Sequence, residues 1–153
     1  MEKPTLAIII PCYNEELCVR HTVERLFEVL NSLISKNKIK PDSYLYLIDD
    51  GSTDKTWNII VELHKANPLV KGQKFIRNFG NQKALIAGLE GVRAIGCDCV
   101  ISIDADLQQD EMAIEKFVDK YMEGYDIVSG IRNDRKTDSF FKKSTAWLFY
   151  KTM

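Results

Sequence analysis

Hydrophobic positions along this chain follow two alternating patterns. Apolar runs occupy residues 6–10, 44–48 and, interrupted by Ser102, 99–103, as expected of strands buried on both faces of a sheet. Between them, apolar residues recur at three- and four-residue spacing, the helical period. Val19, Val23, Leu26, Phe27, Leu30, Leu33 and Ile34 form one such stripe. Asn14 is placed to cap that helix, with Glu15 and Glu16 in its first turn, where negative charge is favourable. A second helix is predicted over 53–66, with Ser52 or Asp54 as its cap and Pro68 just past its end. A third strand is predicted near 73–76. A helix over 81–95 follows, where Ala84, Ala87, Gly88 and Gly91 allow close packing and Gly96 is the stop. Ile114, Phe117, Val118 and Tyr121 mark the face of a further helix ended by Gly124, and 126–129 reads as a fifth strand. This alternation predicts an α/β fold, a mostly parallel sheet with helices on both faces. No internal repeat, linker or low-complexity tract interrupts it.

In such sheets ligands bind beyond the carboxyl ends of the strands, near a topological switch point. The residues following the strands are therefore the informative ones. They are Pro11-Cys12-Tyr13-Asn14-Glu15-Glu16, Asp49-Asp50-Gly51-Ser52-Thr53-Asp54, Arg77-Asn78-Phe79-Gly80 and Asp104-Ala105-Asp106-Leu107-Gln108. All four polar clusters fall on one predicted rim.

Asp104 and Asp106 are the sharpest signal. Carboxylates are hard ligands suited to Mg²⁺ or Mn²⁺, and a departing diphosphate needs such a cation as its charge builds. A lone Asp-x-Asp more often makes a turn or caps a helix; after an apolar strand, with Asp49-Asp50 after another, the metal reading gains. Asp50 fits an acceptor for a ribose hydroxyl or base edge, with Tyr13 as an aromatic face and Glu15 as a second acceptor. The competing reading of 49–54 is a turn and helix cap, and both can hold together. Arg132 and Arg135 can bind phosphate bidentately or serve as solvated surface, and Arg77 and Lys83 are weaker examples of the same type. Residues 139–153 mix Phe140, Phe141, Trp147, Phe149 and Tyr150 with Lys142, Lys143 and Lys151. That pattern suits either a membrane-interface helix or a helix packed on the domain.

Composition narrows the classes. The chain has 153 residues, 45% hydrophobic and 28% charged, with a formal net charge of −1. This is the size of one soluble domain, without the basic excess of a nucleic-acid binder. No signal peptide is apparent, and no apolar run reaches the roughly 18 residues of a membrane span. The four cysteines, Cys12, Cys18, Cys97 and Cys99, form no CxxC pair and read as structural thiols in a reducing compartment.

The four ordered clusters resemble the motifs of family 2 glycosyltransferases, over nearly the whole chain. Ser129-Gly130-Ile131-Arg132 and the aromatic–lysine tail narrow the resemblance to the polyprenyl-phosphate branch, which includes dolichol-phosphate mannosyltransferase and the bactoprenol glucosyltransferases. The resemblance implies a Rossmann-like GT-A nucleotide-sugar-binding domain over 1–138. Residues 139–153 would begin a further C-terminal part of a longer protein. It implies metal-dependent, inverting transfer of a sugar from a UDP- or GDP-sugar to a lipid phosphate, in cell-envelope or glycoconjugate biosynthesis. The setting would be the cytoplasmic face of the cell membrane, with this segment itself soluble and a homo-oligomer allowed. Pro11, Tyr13, Glu15, Ile48 and Asp50 would line the nucleoside pocket. Asp104, Ala105, Asp106 and Gln108 would handle metal and diphosphate, with Arg132 near the phosphates or acceptor. The chain departs from the family pattern at Gln109-Asp110-Glu111-Met112, where many members carry a proline.

The mechanism follows from the acceptor. A lipid phosphate is already ionised and can attack the sugar carbon without a general base, although Asp134 is a weak candidate for one. The rivals are a transferase acting on a saccharide hydroxyl, a donor-binding module without turnover, and a receiver-type phospho-signalling domain. Receivers usually place their acidic pair after the first strand, whereas here it follows the second.

Overall fold

The sequence places its apolar runs so that a sheet must sit between helices, and the computed structural model of the protein has that order. It describes residues 2–106, 110 and 112–130. Along the chain come β1 (Leu6–Cys12), α1 (Val19–Ser35), β2 (Tyr44–Asp49), α2 (Thr56–Ala66), β3 (Val70–Lys74), α3 (Asn81–Ile95), β4 (Cys99–Ser102) and α4 (Ala113–Met122). The strands form one parallel sheet in the order β3-β2-β1-β4. The chain steps outward from β1 to β3 through α1 and α2. Helix α3 then carries it back across the sheet to set β4 on the other side of β1. The switch point therefore lies between β1 and β4.

Alternate residues of the central strands feed two cores. Leu6, Ile8 and Ile10 of β1, with Leu45 and Leu47 of β2, pack against Val19, Val23, Leu26, Leu30 and Leu33 of α1. Ala7, Ile9, Tyr44, Tyr46 and Ile48 face Ala84 and Val92 of α3. Each large aliphatic side chain fully buried this way contributes roughly 1.5–3 kcal/mol. Helix α3 lies low on the sheet because its contact residues are small. A Cβ on Gly88 would stand 2.6 Å from Ile9 Cγ2 and 2.8 Å from Ile48 Cδ1, and one on Gly91 would meet the Tyr46 ring.

Several boundaries differ from expectation. Helix α1 starts at Val19, not beside Asn14, because Asn14 holds a left-handed φ of 54° that cannot open a right-handed helix. Helix α2 starts at Thr56 with Lys55, neither of the two expected residues, at the cap position; Asp54 Oδ1 accepts the Thr56 N–H at 2.9 Å in the turn that leads into it. Strand β3 lies at Val70–Lys74 rather than 73–76, since its ladder runs from Leu45↔Val70 to Asp49↔Lys74, and Ile76 is 94% exposed. Residues 126–129 form no strand. Their apolar pattern is real, but a strand needs a ladder partner, and Ile127 stands in solvent. Instead, Asp126 and Val128 line a groove of about 1220 Å³ along β4, with Ile101, Phe117 and Tyr121.

All four cysteines are free thiols. Burial pushes the Cys99 thiol up to about 12 and raises Cys12 further in the same direction, which leaves both protonated and unreactive. Among the described residues, no helix is long and apolar enough to cross a membrane.

The low seat of α3 is directly testable. Gly88→Ala improves helix propensity by up to about 1 kcal/mol, but overpacking costs about 1–3 kcal/mol. The expected outcome in urea denaturation is a net loss of stability. A variant as stable as the wild type would show that the helix is not in close contact there.

Candidate active site

The rim at the carboxyl ends of the strands is organised by side chains that bond the backbone of neighbouring loops. The β1–α1 and β2–α2 loops hold each other reciprocally. Ser52 Oγ accepts the Asn14 N–H at 2.9 Å, and Asn14 Oδ1 accepts the Thr53 N–H at 2.9 Å. Thr56 Oγ1 accepts from Glu15 N at 2.8 Å, Asp54 Oδ2 from Glu16 N at 3.1 Å, and Glu16 Oε2 from Lys55 N at 2.9 Å. Partial burial works to raise the Asp54 carboxyl. The hydrogen bonds from the Thr56 hydroxyl and amide and from the Glu16 amide outweigh it, so its pKa lies below the usual value.

Asp50 fixes the third loop. It is 3% exposed, and its Oδ1 and Oδ2 accept the N–H groups of Phe79 at 2.7 Å and Gly80 at 2.9 Å. Its carboxylate thus stands just before the N-terminus of α3, where negative charge is favourable. Gly51, at φ 69°, lets that loop approach, since a Cβ there would lie 2.2 Å from the Arg77 carbonyl carbon. Asp49, fully buried, turns the other way. Its Oδ1 accepts the Ser52 N–H at 3.0 Å, and its Oδ2 lies 3.8 Å from Lys74 Nζ. The two aspartates therefore serve different loops and do not share one acidic site.

The fourth loop follows β4. Ile103 N–H continues the ladder by donating to Ile9 O at 3.0 Å. Ala105 is 2% exposed, while Asp104 and Asp106 on either side of it are exposed. The Thr22 hydroxyl of α1 donates to Ala105 O at 2.5 Å.

These loops enclose a cleft of about 340 Å³ at the switch point, within the range of small-molecule sites. The structure brings together Pro11, Tyr13, Glu15, Asp50, Asp104, Ala105 and Asp106, all on its lining. Tyr13 is 46% exposed, so its ring is available to a ligand. Ile48 does not join them. It is fully buried and packs toward α3 beneath the cleft, because its place in the strand alternation points it into the core. Gln108, Arg132, Asp134, Arg135 and the 139–153 segment lie outside the described residues. Arg77 and Lys83 sit over the Phe79 ring at 4.7 and 5.5 Å, on the rim.

Sequence reasoning gave no role to Asn78, although it belongs to the third cluster, and missed Asn81, which lies just beyond it; both are on the lining. It also missed Thr22, which no local pattern distinguishes from other helical threonines. The Cys18 thiol donates to Glu15 Oε2 at 2.9 Å. Burial first, then that bond and the charges of Glu15 and Asp106, push it up to about 12. Cys18 is a hydrogen-bond donor here, not a nucleophile. The larger groove along β4 is walled mainly by apolar side chains, so the polar chemistry belongs to the cleft.

Comparison with known proteins identifies the family. The model of the family described as glycosyl transferase family 2 matches residues 7–152. The uncharacterized glycosyltransferase YkoT of Bacillus subtilis is 48% identical over 151 residues, covering 99% of this chain and 44% of that protein. The bactoprenol glucosyl transferase of Shigella phage SfX is 37% identical over 149 residues, covering 95% of this chain and 45% of that protein. The chain thus spans less than half the length of these relatives. Among solved structures, S. aureus TarS 1-349 superposes with a TM-score of 0.52 at 20% identity, covering 88% of this chain and 40% of that one. TarS 1-349 in complex with UDP superposes with a TM-score of 0.51 at 23% identity, covering 85% and 40%. That likeness concerns the fold, and these neighbours are GT-A glycosyltransferases.

Two outcomes follow from the loop bonding. Asp50→Ala leaves two backbone N–H groups without their acceptor, which costs about 1–3 kcal/mol each where buried. Amide exchange at Phe79 and Gly80 should accelerate, and unchanged exchange would refute the assignment. Because the Asp54 pKa is depressed in the fold, its contribution is fully present above the unfolded carboxyl pKa of about 3.9. It is lost as pH falls through the lower folded value. Asp54→Asn should therefore flatten the acid limb of a stability–pH curve; an unaltered limb would show that Asp54 contributes nothing there.

Proposed function

The chain belongs to glycosyl transferase family 2, and on that footing we propose that it forms the donor-binding half of an inverting, metal-dependent transferase. The enzyme would move a sugar from a UDP- or GDP-sugar to a polyprenyl phosphate. One observation carries the reading. Asp104 and Asp106 stand exposed at the switch between β1 and β4, on either side of a buried Ala105, in the cleft that also holds Tyr13, Glu15 and Asp50. Two hard oxygen donors open to a cleft fit Mg²⁺ or Mn²⁺, which commonly takes one or two protein carboxylates and fills its shell from phosphates and water. When bound, the cation supplies charge stabilisation to the departing diphosphate.

The chain's own residues do the rest. Tyr13 offers a stacking face to the base. Asp50 already accepts two backbone N–H groups, yet each carboxylate oxygen retains a lone pair for a ribose hydroxyl, so its structural and binding roles coexist. Glu15, held by Cys18, is a second acceptor. Gln108 keeps the diphosphate role its motif position implies, and Arg132 its place near the phosphates or acceptor. Similarity to bactoprenol glucosyl transferases supports a lipid-phosphate acceptor, and with it action at the cytoplasmic membrane face. An ionised phosphate needs no general base.

Calorimetric titration of the whole protein with UDP- and GDP-sugars, with and without Mn²⁺, tests the donor site. Binding should require the metal, and Asp104→Asn or Asp106→Asn should abolish both binding and transfer while leaving the melting temperature unchanged. Normal turnover in both variants sinks the metal assignment. In acceptor assays polyprenyl phosphate should react; reaction of saccharide hydroxyls alone would overturn the acceptor.

A further inference from the structure

Thr22 lies one turn into α1 and is 1% exposed. A threonine inside a helix ordinarily returns its hydroxyl bond to the carbonyl four residues back. That acceptor is present, with Cys18 O at 3.1 Å, and it already takes the Thr22 N–H at 2.9 Å. A hydroxyl has one proton to give. Here the nearer acceptor is across the fold, Ala105 O at 2.5 Å.

Ala105 is the centre of the acid turn. Its methyl joins the core cluster that includes Val19 and Val23 of α1, and the ladder bond from Ile103 to Ile9 O fixes the chain just before it. The sheet, apolar packing and the Thr22 hydroxyl all hold the turn, and the last is a directional bond from α1. Asp104 and Asp106 stand exposed on either side of Ala105. Two like charges one residue apart repel, and a turn free to relax would move them apart.

We propose that Thr22 is a positioning residue of the donor site: through the Ala105 carbonyl, its hydroxyl sets the backbone from which Asp104 and Asp106 hold a divalent cation. The inference rests on reading that pair as the cation site. It assigns to the interior of α1 a role in affinity for metal, not in the chemistry of transfer.

The test is Mn²⁺ binding to the whole protein in the presence of UDP, followed by the electron paramagnetic resonance signal of free Mn²⁺, alongside thermal melting. Thr22→Val keeps the shape and removes the donor, and should weaken Mn²⁺ binding roughly tenfold or more, the effect typical of groups that orient metal ligands. Thr22→Ser keeps the donor and should bind nearly as the wild type does. Wild-type Mn²⁺ affinity in Thr22→Val, even with a lowered melting temperature, overturns the proposal and leaves Thr22 merely structural. Equal losses in Val and Ser variants also overturn it, because the packing of the whole side chain and not the hydroxyl alone would then matter. If Thr22→Val does not fold, the Ser and Ala variants, which differ by the hydroxyl alone, make the same comparison. A wild type that binds neither Mn²⁺ nor UDP removes the donor-site reading itself, whereas binding indifferent to Thr22 removes only this inference.

Discussion

The buried Asp50 carboxylate and its two backbone hydrogen bonds hold the cleft in shape. Bonds from N–H groups to an ionised acceptor are shorter and stronger than neutral ones. Two consecutive N–H groups, from Phe79 and Gly80, converge on one side chain. This determines where the chain leaves β3 and where α3 begins. Gly51 makes the approach possible, and the small residues of α3 keep the helix close to the sheet once it starts. A shift at Asp50 would therefore move one wall of the cleft and the helix behind it together.

From Asp50 the same kind of bonding spreads along the rim. Asn14, Ser52, Thr53, Asp54 and Thr56 tie the first two loops into one body, and Thr22 extends the linkage from α1 to the acid turn. Parallel strands leave their loop ends without ladder partners, so side-chain-to-backbone bonds are the available means of ordering them. The cleft depends on that order, since the groups that line it are contributed by loops far apart in sequence.

The parts of the structure legible in the sequence were those governed by burial on both faces. Residues 6–10 and 44–48 are apolar without alternation, and they form β1 and β2 nearly as read. Helix α3 was delimited correctly because Gly96 ends it at φ 103°. Strand β3 was misplaced because Val70-Lys71-Gly72-Gln73-Lys74 lacks an apolar signature, and its ladder with β2 alone decides its position. The start of α1 was misread because the conformation of Asn14 depends on Ser52 and Thr53, 38 and 39 residues away. At the site, acidic residues at strand ends could be recognised singly. That Asp50 grips the third loop, and that Ile48 faces the core instead of the cleft, required knowing which loops touch.

The two borders of the sheet are unlike. Strand β3 carries Lys71 and Lys74, charges that discourage a neighbouring strand, whereas Cys99-Val100-Ile101-Ser102 of β4 carries none. Among the described residues β4 has β1 as its one strand partner. The sheet thus has a guarded margin and a receptive one, and growth is favoured on the receptive side. A parallel strand added there would end on the same rim, next to Asp104. The architecture thereby leaves the margin beside the acid turn open to further strand pairing.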